Sequence, residues 1–210
     1  MIFSVKYSTM RNNDIIQTTI NNLVYKSHVP LDWATVEPKC TEIINRSLAT
    51  EWNKFPTKGG TSFTQPDHPF MWDEFAPVRE AVNSGINELR ERWNLLPIKL
   101  WAEKSWINWY DNEAKLEEHD HGHTVFVVTY YLQKSAGSGN MEFRNPLEYH
   151  MTGYPVVTDF TLWTEMPAVP GDLLIFPGWL KHRVQPNNTT ERRISLTVNI
   201  NSHRFEFNDQ

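Results

Sequence analysis

Residues 124–132 read Thr-Val-Phe-Val-Val-Thr-Tyr-Tyr-Leu, a run composed almost entirely of β-branched and aromatic residues. Such a composition is typical of a β-strand. Both alternating faces of the run are apolar, so a sheet covered on one side only would leave half of these side chains in water. The sequence therefore predicts a buried strand in the centre of a sheet that has other layers on both faces.

Short strand-forming runs recur around this segment, separated by turn-forming residues. The predicted strands cover residues 98–110, 141–143, 173–177 and 193–200, with turns at 135–140 and 170–172. Residues 36–53 and 76–93 instead carry apolar side chains at helical spacing, and residues 54–74 between them predict a long loop. We therefore predict a mainly β protein, a sandwich or barrel with its N-terminal helices packed outside.

The chain shows no internal repeat and no low-complexity segment that would mark a domain boundary. The predicted helices need the sheet to bury their apolar faces. Residues 1–210 are therefore predicted to form a single domain, with residues 1–97 as a helical and loop part and residues 98–203 as the β core.

Composition narrows the functional classes. The chain has 20 Lys and Arg against 25 Asp and Glu, a formal net charge of −5, so we expect no general nucleic-acid binding. Its single cysteine, Cys40, excludes an intramolecular disulfide and a cage of thiolate metal ligands. The N-terminus has no signal-peptide pattern, and no apolar window reaches the ~20 residues that span a bilayer. We expect a cytoplasmic protein without a membrane partner.

Three of the eight histidines lie in the segment His119-Asp120-His121-Gly122-His123. In an extended chain, residues two apart project from the same face, so two or three imidazoles converge there. His182, which follows the predicted strand at 173–177, offers a further ligand from a remote part of the chain. Two nearby ligands and one distant histidine, without cysteine, suit Fe(II), Mn(II) or Zn(II). An exposed, histidine-rich turn is the alternative interpretation of the cluster.

Arg193 lies eleven residues beyond His182, on an alternating strand where it shares a face with Ser195 and Thr197. An inward-facing arginine beside a metal needs an anion, and the fork of its guanidinium matches a carboxylate. The alternative is an exposed Arg193 paired with Glu191. Of the two neighbouring arginines, Arg192 is the one expected to face solvent.

In their order and spacing, these residues resemble the iron(II)/2-oxoglutarate-dependent oxygenases. The similarity covers residues 106–199, about half of the chain. Within the superfamily, the sequence is similar to a group of oxygenases frequent in bacteria and their phages, and it also resembles the prolyl-hydroxylase branch. It rests on Ser105-Trp106, His119-x-His121, Tyr130-Tyr131-Leu132, Phe143-x-Asn145-Pro146, the run from Pro170 to Pro177, His182-x-Val184 and Arg193-Ile194-Ser195. The resemblance implies a double-stranded β-helix, or jelly roll.

The resemblance also implies cofactors and roles. His119 and His182 would bind Fe(II), whereas Arg193, Ser195 and Tyr131 would bind 2-oxoglutarate. Dioxygen would be the second cosubstrate, and oxidative decarboxylation to succinate and carbon dioxide would accompany hydroxylation of an unknown substrate. The sequence leaves a homodimer open.

The third metal ligand departs from the family pattern, in which a carboxylate stands two residues after the first histidine. Here that position is His121, and the nearest acid is Asp120. An extended segment would give a site of three imidazoles, which removes one negative charge and should hold the metal less tightly. A turn would allow Asp120 to ligate instead, or to orient an imidazole. We predict His119, His121 and His182 as ligands, with Asp120 as the alternative.

Two other functions fit parts of the pattern: a cupin-like metal-dependent enzyme that uses no 2-oxoglutarate, and a non-catalytic jelly-roll binding protein. Arg193 distinguishes the cupin-like enzyme, which has no need of a carboxylate clamp on that strand. The substrate is expected to be a peptide, an amino acid or a small molecule, bound by the loops at 54–74 and 144–167. Their candidate contact residues are Trp72, Tyr149, Tyr154 and Trp163.

Overall fold

The structure is a computed structural model that describes residues 19–50, 58–148 and 162–202. In it, the predicted central strand is β5, Phe126–Gln133. Seven of its eight residues are buried, because both faces are covered. Phe126, Val128 and Tyr130 pack toward the helices, whereas Val127 and Tyr131 pack toward a second sheet. The prediction of a strand buried on both faces is confirmed.

The larger sheet has six antiparallel strands. From edge to edge these are β1 (Tyr25–His28), β8 (Asp172–Pro177), β5, β10 (Arg193–Ser202), β3 (Leu100–Tyr110) and β2 (Gly59–Thr61). The long strand β10 pairs with β5 on one side and with β3 on the other. Its alternating residues therefore present one face to the helices and the other to the second sheet.

The smaller sheet has four antiparallel strands, in the order β4 (Leu116–His119), β9 (His182–Val184), β6 (Met141–Arg144) and β7 (Trp163–Met166). Phe143 and Met166 of this sheet contact Leu174 and Phe176 of the larger one in a common apolar cluster. The two sheets form the predicted jelly roll.

Two helices cover the outer face of the larger sheet: α1 (Trp33–Leu48), which begins after the N-cap Asp32, and α2 (Ala76–Arg92). Their buried side chains join the sheet in one cluster that includes Val36, Cys40, Ile44, Val78, Val82, Ile86 and Leu89. This confirms the prediction of helices packed outside the β core. Among the described helices, none combines the length and apolar composition that a membrane crossing requires.

The N-terminal part contains more β structure than the sequence predicted. Strand β1 forms one edge of the larger sheet and β2 the other, although both lie within residues 1–97. The predicted loop at 54–74 contains β2 and the 3-10 helix Pro69–Met71, and it overlaps the start of a second 3-10 helix, Asp73–Phe75. The prediction that residues 1–97 form only helices and loops is therefore wrong, because they also contribute both edge strands of the larger sheet. Strands of three and four residues at sheet edges are too short to give a periodic signal.

Candidate metal centre

Two of the predicted ligands face each other across the smaller sheet. His119 ends β4, His182 begins β9, and the two residues are register partners in the antiparallel pair. His121 lies in the turn after β4, where its backbone N–H donates to the Gly178 carbonyl at 2.9 Å. One nitrogen of each ring lies within 4.8 Å of the corresponding nitrogens of the other two. The structure thus brings together three imidazoles from two separate parts of the chain.

Each of the three rings is oriented by a hydrogen bond at Nδ1. His119 Nδ1 bonds the Glu117 carbonyl at 2.8 Å, and His182 Nδ1 bonds the Leu180 carbonyl at 2.9 Å. His121 Nδ1 bonds Oδ1 of Asn199 at 2.8 Å. Carbonyl oxygens only accept hydrogen bonds, so these partners place the proton on Nδ1. Nε2 of each ring is therefore left with a lone pair for an ion.

The imidazoles are held in the neutral form that a metal requires. Burial lowers the pKa of His119, lowers that of His121 to about 4, and lowers that of His182 well below its ordinary value. His182 is the most deeply placed, with 2% of its surface exposed. At neutral pH all three imidazoles are therefore uncharged even without a metal, each with a single proton, on Nδ1.

We expect the metal-free protein to lose stability as the pH falls from 6.5 toward about 4, the pKa of His121 in the folded protein. Above 6.5, the ordinary imidazole pKa, His121 and His182 are neutral in both the folded and the unfolded state. Below it, the unfolded chain takes up protons that the folded site excludes, so acid favours unfolding. Thermal midpoints across this range measure the effect, and His121→Asn should make the fall shallower. A flat profile would contradict neutral, buried imidazoles.

The three histidines line a cavity of about 420 Å³ that lies between the two sheets. Every residue predicted to bind the metal or 2-oxoglutarate borders it, and these residues are His119, Asp120, His121, Tyr131, His182, Arg193 and Ser195. The wall from the larger sheet comes from the inward faces of β3, β5 and β10. The candidate metal ligands and the candidate cosubstrate ligands thus share one chamber.

Arg193 is a buried guanidinium inside this chamber, with 1% of its surface exposed. It donates to the carbonyl of Ser138, and its guanidinium carbon lies 4.2 Å from the ring centre of Tyr110. Within the described residues, no carboxylate forms an ion pair with it. Burial lowers its pKa, because the charge is poorly solvated there. The buried cation therefore offers its charge to an anion that enters the cavity.

Gly139 lies directly against the guanidinium of Arg193. Its φ is +76°, and a Cβ built there would stand 2.6 Å from the Pro186 carbonyl oxygen and 3.0 Å from Nη1 of Arg193. We expect Gly139→Ala to lower the free energy of unfolding by more than the about 1–3 kcal/mol of backbone strain alone, and to displace Arg193. Gly137→Ala is the matched control, since it has a similar φ of +84° and only one neighbour, at 3.4 Å. Denaturant unfolding compares the two variants. Equal losses of unfolding free energy would contradict a clash of the added methyl group beside Arg193.

Tyr131 and Ser195 border the cavity as hydroxyl groups on neighbouring strands. They are register partners in the pairing of β5 with β10, and both are buried. Burial raises the pKa of Tyr131 to about 12, so its phenol keeps its proton at neutral pH. Both side chains can therefore donate hydrogen bonds to an anion beside Arg193.

Asp120 borders the cavity, but its carboxylate does not belong to the group of three side chains that could hold a metal. Its Oδ1 accepts from the Gly122 backbone N–H at 2.9 Å, which stabilises the turn. His123 is exposed and borders an outer groove, which His121 also lines, but it does not border the cavity. Arg192, rather than Arg193, is the outward member of its pair and bonds Asp111 at 2.6 Å. The alternative of an exposed Arg193 is wrong, because β10 turns this side chain into the cavity.

The predicted substrate loops are only partly described. Trp72 packs against the helix-side core and does not border the cavity. Trp163 lies under the guanidinium of Arg183, 4.1 Å from its ring centre. Tyr149 and Tyr154 lie outside the described residues. The aromatic contact that the structure adds is Phe63, which is 43% exposed at the cavity and packs edge-on against Trp106 at 4.9 Å.

Other residues that border the cavity were not predicted as site residues. They are Thr61, Phe63, Trp106, Asn108, Tyr110, Leu116, Thr129, Met141, Val184, Thr197 and Asn199. A signal existed for some of them, because the alternation that places Arg193 and Ser195 in the cavity extends along β10 to Asn199. Thr61 ends the short edge strand β2 and Phe63 follows it, and neither residue had a comparable signal.

Residues 104–199 match the family model described as "Putative 2OG-Fe(II) oxygenase". This segment contains all three clustered histidines and most of the residues that border the cavity. A sequence comparison with curated proteins finds no match.

Solved structures share the fold along most of the chain. A Pseudomonas putida prolyl-4-hydroxylase is 14% identical, covers 91% of this chain and 99% of its own, and superposes with a TM-score of 0.59. HygX from Streptomyces hygroscopicus, with nickel and 2-oxoglutarate bound, is 12% identical over 94% of this chain and 89% of its own, with a TM-score of 0.57. A viral collagen prolyl hydroxylase from Paramecium Bursaria Chlorella virus-1 is 12% identical over 88% and 98%, with a TM-score of 0.53.

These similarities agree with the chemistry of the cavity. The family match provides the evidence for iron and 2-oxoglutarate, and the solved structures provide the evidence for a jelly roll. A triad of neutral imidazoles is a donor set that binds Fe(II). The chain is therefore an oxygenase of the iron(II)/2-oxoglutarate-dependent superfamily, with Fe(II) and 2-oxoglutarate as its cofactors.

Proposed function

We propose that this oxygenase hydroxylates a peptidyl, amino-acid or small-molecule substrate and releases succinate and carbon dioxide. The observation that carries the proposal is one cavity with three neutral imidazoles and a buried guanidinium that has no carboxylate partner among the described residues. The first set suits a divalent metal, and the second suits a dicarboxylate. No other described cavity combines these two features.

His119, His121 and His182 are proposed to hold the iron through Nε2. The fit rests on the donor set, because each Nδ1 is already hydrogen-bonded and each ring is neutral. Such hydrogen bonds fix the tautomer and the ring plane, and they raise the basicity of the ligating nitrogen. Three protein ligands leave further coordination positions for a cosubstrate and dioxygen.

Arg193, Ser195 and Tyr131 are proposed to bind the carboxylate of 2-oxoglutarate that lies away from the metal. The guanidinium supplies charge and a planar fork, whereas the two hydroxyls supply single donors. In this environment of low solvent access, a charged hydrogen bond is stronger than in water. Binding of the dianion would compensate the buried positive charge of Arg193.

When bound, iron and 2-oxoglutarate would together supply the activation of dioxygen: one oxygen atom would enter succinate as the keto acid loses carbon dioxide, and the other would enter the substrate C–H bond. The residues of the chain position the reactants and exclude water. Leu116, Met141 and Val184 give the chamber apolar walls near the histidines. Phe63 and Trp106 form an aromatic border where a substrate can contact the chamber.

A substrate related to a peptide or an amino acid is supported by two of the solved structures with this fold, which are described as a prolyl-4-hydroxylase and a collagen prolyl hydroxylase. The exposed ring of Phe63 fits such a substrate, because aromatic rings pack well against apolar side chains. Lys104 lies 4.1 Å above this ring and adds a positive charge at the border.

Anaerobic titration tests the proposal. Fe(II) and 2-oxoglutarate together should produce a visible charge-transfer band that neither produces alone, and air should then generate succinate. Thermal unfolding provides a second measurement, since 2-oxoglutarate should stabilise the metal-loaded protein by mass action. The all-imidazole ligand set also suits a cupin-like enzyme without a keto acid. Absence of both the band and the stabilisation, in a protein that binds Fe(II), would favour that alternative.

A further inference from the structure

The three histidines are not held in the same way. The Nδ1 groups of His119 and His182 bond backbone carbonyls two residues earlier in the chain. His121 bonds a side chain, Oδ1 of Asn199, which lies 78 residues away in the sequence. The orientation of His121 therefore depends on another side chain, which a substitution can remove. The orientation of the other two rings depends on backbone carbonyls.

His121 also has less support from regular structure than the other two ligands. His119 and His182 belong to paired strands, whereas His121 lies beyond the end of β4 in a turn with Gly122 at φ +55°. Its main-chain contacts are the hydrogen bonds to Gly178 and from Thr124. The χ angles of a side chain on such a turn need a tertiary contact to fix them.

Asn199 supplies this contact from a rigid position. It is the last residue of β10 that faces the cavity before a register shift interrupts the pairing with β3 between Asn199 and Ile200. β5 and β3 flank it on both sides, at Val127 and Lys104. A site built on a paired central strand is held more precisely than one on a loop.

The ring of Trp106 provides a further contact with His121. Its plane lies within 19° of the imidazole plane, with the ring centres 6.0 Å apart. Trp106 is 6% exposed and is itself fixed on β3. Asn199 thus bonds the edge of the imidazole at Nδ1, and Trp106 lies alongside its face. An imidazole, unlike a carboxylate, has both an N–H edge and an aromatic face for these contacts.

We propose that Asn199 is a positioning residue, which holds His121 in the Nδ1–H tautomer and in the plane that directs Nε2 toward the metal. This inference rests on the proposed three-histidine metal site. Asn199 acts through His121 and does not touch the ion. It explains how an imidazole can occupy the position where the family pattern has a carboxylate. The same strand that presents Arg193 to the cosubstrate thereby also orients the third metal ligand.

Asn199→Ala tests the inference with Co(II) as the probe. We expect Co(II) to bind about 10–100-fold more weakly, as is usual when the hydrogen-bond partner of a ligating histidine is lost. The visible absorption of the bound Co(II), which reports the ligand geometry, should also change. Asn199→Asp keeps an acceptor at this position and should restore both the affinity and the spectrum. Asn199→Thr, whose hydroxyl is one bond too short to reach Nδ1, should behave like the alanine variant and replaces it if that variant fails to fold.

Asn201→Ala is the matched control. It removes an asparagine on the same strand whose Oδ1 accepts from the Val125 N–H and whose amide nitrogen donates to Glu103, and among the described residues it forms no hydrogen bond with the three rings. Its Co(II) affinity should match that of the unmodified protein. Unchanged affinity and spectrum in Asn199→Ala, or no restoration in Asn199→Asp, would overturn the role of Asn199. By contrast, failure of the unmodified protein to bind Co(II) would overturn the three-histidine site itself.

Discussion

His182→Ala is expected to abolish tight metal binding, with an affinity loss that exceeds the about 10–100-fold typical of losing only a ligand's hydrogen-bond partner. His182 is the buried member of the triad, and the other two ligands lie on a single segment. Without it, His119 and His121 form a two-nitrogen site at the end of one strand. Equilibrium dialysis with Fe(II) under anaerobic conditions, or with Co(II), measures the loss. The charge-transfer band with 2-oxoglutarate should disappear in parallel.

His123→Ala is the control for this variant. It removes an exposed histidine from the same His-rich segment, and this residue is not part of the three-nitrogen group. Its metal affinity should remain close to that of the unmodified protein. Retention of tight binding in His182→Ala would show that the ion binds elsewhere, and the proposed site would then have to be abandoned.

Arg193→Gln is expected to weaken 2-oxoglutarate binding by at least about 30-fold while metal affinity changes little. Truncating one partner of a buried charge pair costs about 2–5 kcal/mol, much of it from leaving the other charge unpaired. Here the unpaired charge would be a carboxylate of the cosubstrate. Isothermal titration of 2-oxoglutarate into metal-loaded protein measures the change. Arg193→Lys should recover only part of the affinity, because an ammonium group lacks the planar fork.

Arg192→Gln provides the comparison for this experiment. Arg192 is the preceding residue, carries the same charge, and pairs with Asp111 away from the cavity. It should bind 2-oxoglutarate as the unmodified protein does. Equal effects of the two substitutions would show that general electrostatic attraction, rather than a specific carboxylate contact, determines cosubstrate binding.

Much of the fold could be predicted because its longest elements carry strong periodic patterns. The run at 124–132 became β5, Phe126–Gln133, and the alternation at 193–200 became most of β10. The helix predicted at 76–93 is observed at Ala76–Arg92. The edge strands β1 and β2 escaped prediction, because three or four residues at an edge are defined by their pairing partners rather than by their own composition.

The candidate site was predictable where chemistry and spacing coincide. His119 and His121 are two residues apart, and His182 and Arg193 follow a strand and a turn, so their convergence could be anticipated from topology. Asn199 could not be recognised in the same way. An asparagine on a strand gives no sign of its partner, and its hydrogen bond to His121 spans 78 residues of sequence. Only the fold reveals that contact.

A crystal structure with Mn(II) and a non-reactive analogue of 2-oxoglutarate tests the central claim most directly. The account predicts one Mn(II) ion bound by Nε2 of His119, His121 and His182. It also predicts that the distal carboxylate of the analogue contacts Arg193. An ion bound through Asp120 in place of His121, or a guanidinium of Arg193 without a carboxylate partner in the occupied site, would contradict it.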